Sequence, residues 1–151
     1  MYKKILVPTD GSELAGQAVA AAIDYARLSG GSIVACSVAQ PYPLLPVVDG
    51  AMMIDPGVDS KELQQIAQQA VDEVARAARA AGVACETHTS LSFLPYEEII
   101  RAADEFKCDA IFIASHGRRG LSRLLAGSQT QKVLAYSHVP VLVLRPAVPA
   151  P

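Results

Sequence analysis

No apolar run in the 151 residues comes near the roughly 18 that a membrane-spanning helix requires. The opening stretch MYKKILVPTDGS is broken at Pro8 and Asp10, so it is not read as a secretory signal. Aromatic residues make up only 5% of the chain. Its core must therefore come from alanine, valine, leucine and isoleucine, side chains that suit helices lying on a sheet. Cysteines are few and scattered: Cys36, Cys85 and Cys108 form no CxxC motif and no cluster with histidine. That favours buried reduced thiols in a cytoplasmic protein over a disulfide or a zinc site. Charge of one sign is lacking too, since 13 basic against 15 acidic residues leave −2. Neither nucleic acid nor an anionic membrane is an expected partner.

What is present is an alternation. KKILVPTD, SIVACSV, VACETHTSL, CDAIFIAS and VPVLVLRP read as five strands. Between them lie four helical stretches. The first carries Leu14, Ala18, Val19, Ala22, Ile23 and Ala26 on one stripe and ends at Gly30–Gly31. The second follows Asp59 and Glu62, spaced like a capping box, with Leu63, Ile66, Ala67, Ala70, Val74, Ala77 and Ala81 facing inward. The third opens at Pro95 with Ile99, Ile100, Ala103 and Phe106 inward, and GSQTQKVLAYS supplies the fourth. Apolar strands alternating with helices predict one α/β domain, a doubly wound parallel sheet covered on both faces. No internal repeat or second domain is evident: the domain spans 1–146 and residues 147–151 read as a flexible tail. The stretch 40–58, rich in proline, resists both helix and central strand and reads as a surface flap or a binding segment.

Ligands of such sheets bind beyond the carboxyl ends of the strands, where strand order reverses. PTDGS follows the first strand and ASHGRRGLSRLLAGS the fourth, so both line one crevice if those strands are neighbours. Gly117 lets the backbone turn and expose its amides. Gly127 and Ser128 open a helix whose first amides, with the positive end of its dipole, suit a phosphate; Ser128 and Thr130 add hydroxyls. The same glycine and serine could equally do no more than cap that helix. The GxxxxGK[ST] and GxGxxG signatures are absent. A phosphoaspartate receiver would need acids and a lysine where Asp10 stands alone and THTSL and LRP occur.

Ala114, Gly117, Gly127 and Ser128 carry a resemblance. The chain resembles the universal stress protein family from KKILVPTDGS to VPVLVLRP. In its nucleotide-binding branch the fingerprint is glycine, two residues, glycine, nine residues, glycine, then serine or threonine. Here ASHG, RRGLSRLLA and GS reproduce that spacing, with Ala114 in place of the first glycine. The resemblance implies a Rossmann-like sheet of order 3-2-1-4-5, of the adenine nucleotide alpha-hydrolase type. It implies ATP, or AMP or ADP, with adenine and ribose near Pro8, Thr9, Asp10 and Val38, and Ile113 and Ala114 as the floor. Gly117, Gly127, Ser128 and Gln129 would hold the phosphates through backbone and hydroxyl groups. Mg²⁺ or Mn²⁺ would be held mainly by the phosphates themselves. Members without the fingerprint bind no nucleotide, so a nucleotide-free interaction module is the alternative.

Asp10 fits ribose or adenine, or a turn-capping role. His116 fits a phosphate contact or a solvated position, and Arg118, Arg119 and Arg123 together raise local anion affinity. His88 and His138 read as structural, and the Met52–Met53 pair as flap packing or a partner surface. No catalytic residue is assigned, because no Ser/His/Asp or Cys/His set can be assembled and Asp10 is the only acid in these loops. Any ATP turnover is expected to be slow. VPVLVLRP would form an apolar sheet edge, so a homodimer through Val139–Arg145 is expected, in keeping with the family.

Overall fold

The computed structural model describes residues 1–41, 45–46, 52–53, 60–117 and 126–147. In chain order the elements are β1 (Lys4–Pro8), α1 (Glu13–Ser29), β2 (Ser32–Ala39), β3 (Leu45–Pro46), β4 (Met52–Met53), α2 (Ser60–Ala80), β5 (Ala84–Leu91), α3 (Pro95–Glu105), β6 (Ala110–Ala114), α4 (Ser128–Tyr136) and β7 (Val141–Leu144). Five strands form one sheet in the order β5-β2-β1-β6-β7, with every neighbouring pair parallel. Counted without the two-residue antiparallel pair β3–β4, this is the order 3-2-1-4-5. The expectation for the stretch 40–58 falls mostly outside the described residues; of those described, Gln40 lines the cavity beyond the sheet and β3–β4 form a pair separate from the main sheet.

Successive strand side chains leave opposite faces, and both faces here are covered. Ile5 and Val7 of β1 pack with Val19, Ile23, Val71 and Val74 of α1 and α2. Leu6, between them, packs with Ile99 and Ala103 of α3 and Val133 of α4. That is why KILVP is apolar without alternation and lies at the centre of the sheet. Alanine at 15, 18, 22 and 26 lets α1 sit close to the strands. The helix begins where Ser12 Oγ accepts from Ala15 N at 3.3 Å and ends at Gly30, whose φ of 65° is the left-handed region that glycine enters without strain.

The stripe of α2 differs from the sequence reading. Ala67, Ala70, Val71, Val74 and Ala78 are buried, whereas Ala77 is exposed. A period of 3.6 residues returns to the sheet at 71, 74 and 78, so Ala77 turns past it. Leu63 is only half-buried and Ile66 is 43% exposed, because the first turns of α2 run beyond the sheet and face a cavity. The capping role read for Asp59 lies outside the described residues. No helix among the described residues is long and apolar enough to cross a membrane.

Candidate functional site

The site arises from unequal strand lengths. The last pair between β1 and β2 is Pro8 with Cys36, sealed by Thr9 N donating to Cys36 O at 2.8 Å. β2 continues to Ala39, still paired to β5 as far as Leu91. Peptide groups along a strand point alternately to its two neighbours. Cys36 O points toward β1, and Ala39 O points toward β5, accepting from Ser92 N at 2.9 Å. Val38 therefore directs its N–H and C=O to the β1 side, into the space beyond the end of β1.

That space is a cavity of about 390 Å³ between the carboxyl ends of β1, β2 and β6, within the range of small-molecule sites. The strand order reverses between β1 and β6, so the cavity sits at the switch point of the sheet. Of the eleven residues expected at the site, nine line it: Pro8, Thr9, Asp10, Val38, Ile113, Ala114, His116, Gly117 and Gln129. Gly127 and Ser128 do not line it but stand next to it, at the N-cap and first residue of α4. Sequence reasoning missed a wall made by Leu63, Ile66 and Ala67 of α2 and by Pro95 and Ile99 of α3. The available signal was in α2, where apolar residues precede the part of the helix that faces strands. Cys36 and Ser37 close the inner end, both buried.

Asp10 serves the turn as well as the cavity. Its Oδ1 accepts from Ser12 N at 2.9 Å, holding the residue that caps α1. A Cβ at Gly117 would fall on Asp10 Oδ2, so glycine at 117 allows the loops after β1 and β6 to close together. Ser115 Oγ lies 3.0 Å from His116 Nδ1. Ala114 is the last residue of β6; Lys107 is the only described non-glycine residue with positive φ, so alanine at 114 carries no left-handed strain. The residue lines the cavity and is 6% exposed.

At α4 the backbone is more committed than the sequence suggested. Gly127 N donates to Ser115 O at 2.6 Å, so this amide closes the loop rather than facing the cavity. A Cβ on Gly127 would stand 3.3 Å from that same oxygen, which is the local reason for glycine. Thr130 Oγ1 donates to Ala114 O at 2.9 Å, so its buried hydroxyl anchors the helix to β6. The first intrahelical bond runs from Gln131 N to Gly127 O at 3.0 Å. This leaves the N–H groups of Ser128, Gln129 and Thr130 without partners inside the helix, at the positive end of its dipole.

Arg118, Arg119 and Arg123 lie outside the described residues. His88 and His138 are not brought to the site: His88 meets the Phe106 ring edge-on at 5.5 Å, and His138 Nδ1 is 3.4 Å from Asp104 Oδ2. Among the described residues no group of three His, Cys, Asp or Glu side chains could hold a metal ion. Burial pushes the Cys36 thiol from 9.0 up to about 12, with Glu98 and Cys108 adding to the rise, and it pushes Cys108 up to about 11.

A doubly wound parallel sheet with a walled cavity at its switch point and a helix N-terminus beside it defines the chain as an α/β domain. The chain belongs to the universal stress protein family, whose sequence model matches residues 1–145. It is 33% identical over 147 residues to universal stress protein MJ0531 of Methanocaldococcus jannaschii, covering 96% of this chain and 83% of that one. The solved structure of MJ0577, from the same organism, superposes with a TM-score of 0.78 at 25% identity, covering 98% of this chain and 99% of that one. Two more distant members share the fold and are complexes. One is a universal stress protein with cAMP, with TM-score 0.68, 22% identity and coverage of 97% and 99%. The other, from Archaeoglobus fulgidus, is bound to dAMP, with TM-score 0.67, 22% identity and coverage of 94% and 97%.

Proposed function

We propose that this chain binds an adenine nucleotide in the switch-point cavity, with the bound state rather than a product as its output. The observation that carries the reading is the overhang of β2 past β1. It sets a backbone acceptor and donor side by side at Val38, at the inner end of a cavity with apolar walls. Adenine presents an N6 amino donor next to the N1 acceptor, the complement of that pair. Guanine presents the reverse, an O6 acceptor next to an N1–H donor, and would leave both Val38 groups unpaired in an apolar wall, which is costly. The adenine complexes of two relatives support the same base.

From that end, the ribose would lie by Thr9 and Asp10 and the phosphates would reach the Ser128 and Gln129 N–H groups. ATP is the proposed ligand, with AMP or ADP filling the same base and ribose positions. Mg²⁺ or Mn²⁺ would ride on the phosphates, since the described side chains offer no cage of their own. In this reading the protein is a cytoplasmic stress-response regulator with reduced thiols, and a homodimer through the partly exposed β7 edge.

The test is thermal unfolding with millimolar ATP and Mg²⁺, against GTP and against Gly127→Glu. A ligand that binds only the folded state raises the melting temperature, and a hundredfold excess over Kd contributes about 2.7 kcal/mol. ATP should raise it by several degrees, GTP by much less, and the glutamate, tight against Ser115 O and negative beside the phosphates, should abolish the shift. An unchanged melting temperature for the wild-type chain would make it a nucleotide-free module instead.

A further inference from the structure

The α3 helix lacks a cap of its own. Leu94 stands at its N-cap position and offers no side-chain acceptor, and Pro95 begins the helix. The first amide available, Tyr96 N, donates instead to Gln129 Oε1 at 3.1 Å, across from α4. Gln129 is thus a cap supplied by another element, and the bond joins the first turns of two helices that both contribute to the cavity wall.

The other α3–α4 contacts start further along α4: Val133 packs with Ile99 and Ala103, and two more side chains reach the same Tyr96. Lys132 Nζ sits 5.1 Å from the Tyr96 ring centroid, and the Tyr136 ring is 5.9 Å from that of Tyr96. Residues 129, 132 and 136 share one face of α4. All three meet Tyr96, but only Gln129 does so from the first turn of α4, where the helix amides open.

We infer that Gln129 is a positioning residue: its side chain does not touch the ligand, but locks the first turn of α4 onto α3 so that the Ser128 and Gln129 N–H groups meet the phosphates at a fixed place. The inference rests on the nucleotide reading above. An amide-based anion site depends on placement, because a hydrogen bond weakens steeply as its angle falls away from linear. A first turn held on one side only, by Gly127 N to Ser115 and Thr130 Oγ1 to Ala114 at the end of β6, would swing about that attachment.

Gln129→Ala removes the lock and leaves the Lys132 and Tyr136 contacts in place. Leu94→Ser gives α3 its own cap without touching α4, so the double variant separates capping from positioning. Affinities for ATP and for adenosine, which has no phosphate, are measured on the full chain by calorimetry, together with urea stability and amide hydrogen exchange. Gln129→Ala is expected to weaken ATP binding about three- to tenfold and adenosine binding less than about twofold. Adding Leu94→Ser should restore urea stability and leave the ATP loss as it was. Exchange of the Gln131 and Lys132 amides should quicken in Gln129→Ala with or without the serine. Equal losses for ATP and adenosine, or recovery of ATP affinity in the double variant, would overturn the assignment. If the wild-type chain binds neither ligand, the nucleotide reading fails on its own. The exchange rates then decide whether Gln129 places α4, and unchanged rates refute it.

Discussion

Gly117 shows how one missing carbon holds two loops together. Any Cβ there collides with the carboxylate that fixes Ser12, so Gly117→Ala must turn Asp10 away from both the α1 cap and the cavity. Calorimetry should find ATP affinity reduced about five- to tenfold, with a stability loss of about 1 kcal/mol or less in urea. The thiols give a second expectation at this scale. The unfolded chain releases thiol protons near its ordinary value of 9.0, while the folded chain retains that of Cys36 to about 12. A raised folded value means the contribution is complete below pH 9.0 and disappears as the pH climbs toward about 12. Urea midpoints should fall across that window, and Cys36→Ala should flatten the fall. A thiol reagent at pH 8 should meet Cys85, the half-buried thiol, well before Cys36 or Cys108.

At the scale of elements, legibility depended on whether a residue's role was periodic. The strands and helices of the main sheet were readable because four strands carry a short apolar run, β5 alternates loosely, and each helix carries a stripe ending in glycine or before a new strand. Ala18, Val19, Ala22 and Ile23 fell where the pattern put them, against the sheet. Leu63 and Ile66 kept the same pattern yet line the cavity, since periodicity reports a face and not what lies opposite it. The family resemblance put nine of eleven residues around one cavity, although of the loop fingerprint itself only Ala114 and Gly117 line it. What it could not convey is where individual hydrogen bonds go. Gly127 N, Thr130 Oγ1 and Gln129 Oε1 each bond to a backbone atom far away or across an element boundary, and no local rule encodes those choices.

For the whole molecule, the two sheet edges differ in character. The β5 edge is polar, with Glu86, Thr87 and Thr89, whereas β7 is VLVL with Leu142 48% exposed. Edge strands left apolar tend to pair, so the proposed homodimer forms through β7. Sedimentation at micromolar concentration should give a dimer for the wild-type chain and a monomer for Leu142→Lys. Because Ser115 N bonds to Leu144 O, the same strand also steadies the loop that enters the cavity. The lysine variant should therefore bind ATP more weakly once it is monomeric, by about threefold or less.

The step between β1 and β2 has a consequence for relatives of any sequence. Backbone ladders grow by whole peptide pairs, so lengthening β1 by two residues would zip Val38 into the sheet and remove the edge proposed to meet adenine. No point substitution in the fingerprint would be needed. On the proposed reading, a chain with every glycine intact but a longer first strand should be blind to adenine, and calorimetry with adenosine on such a chain checks it.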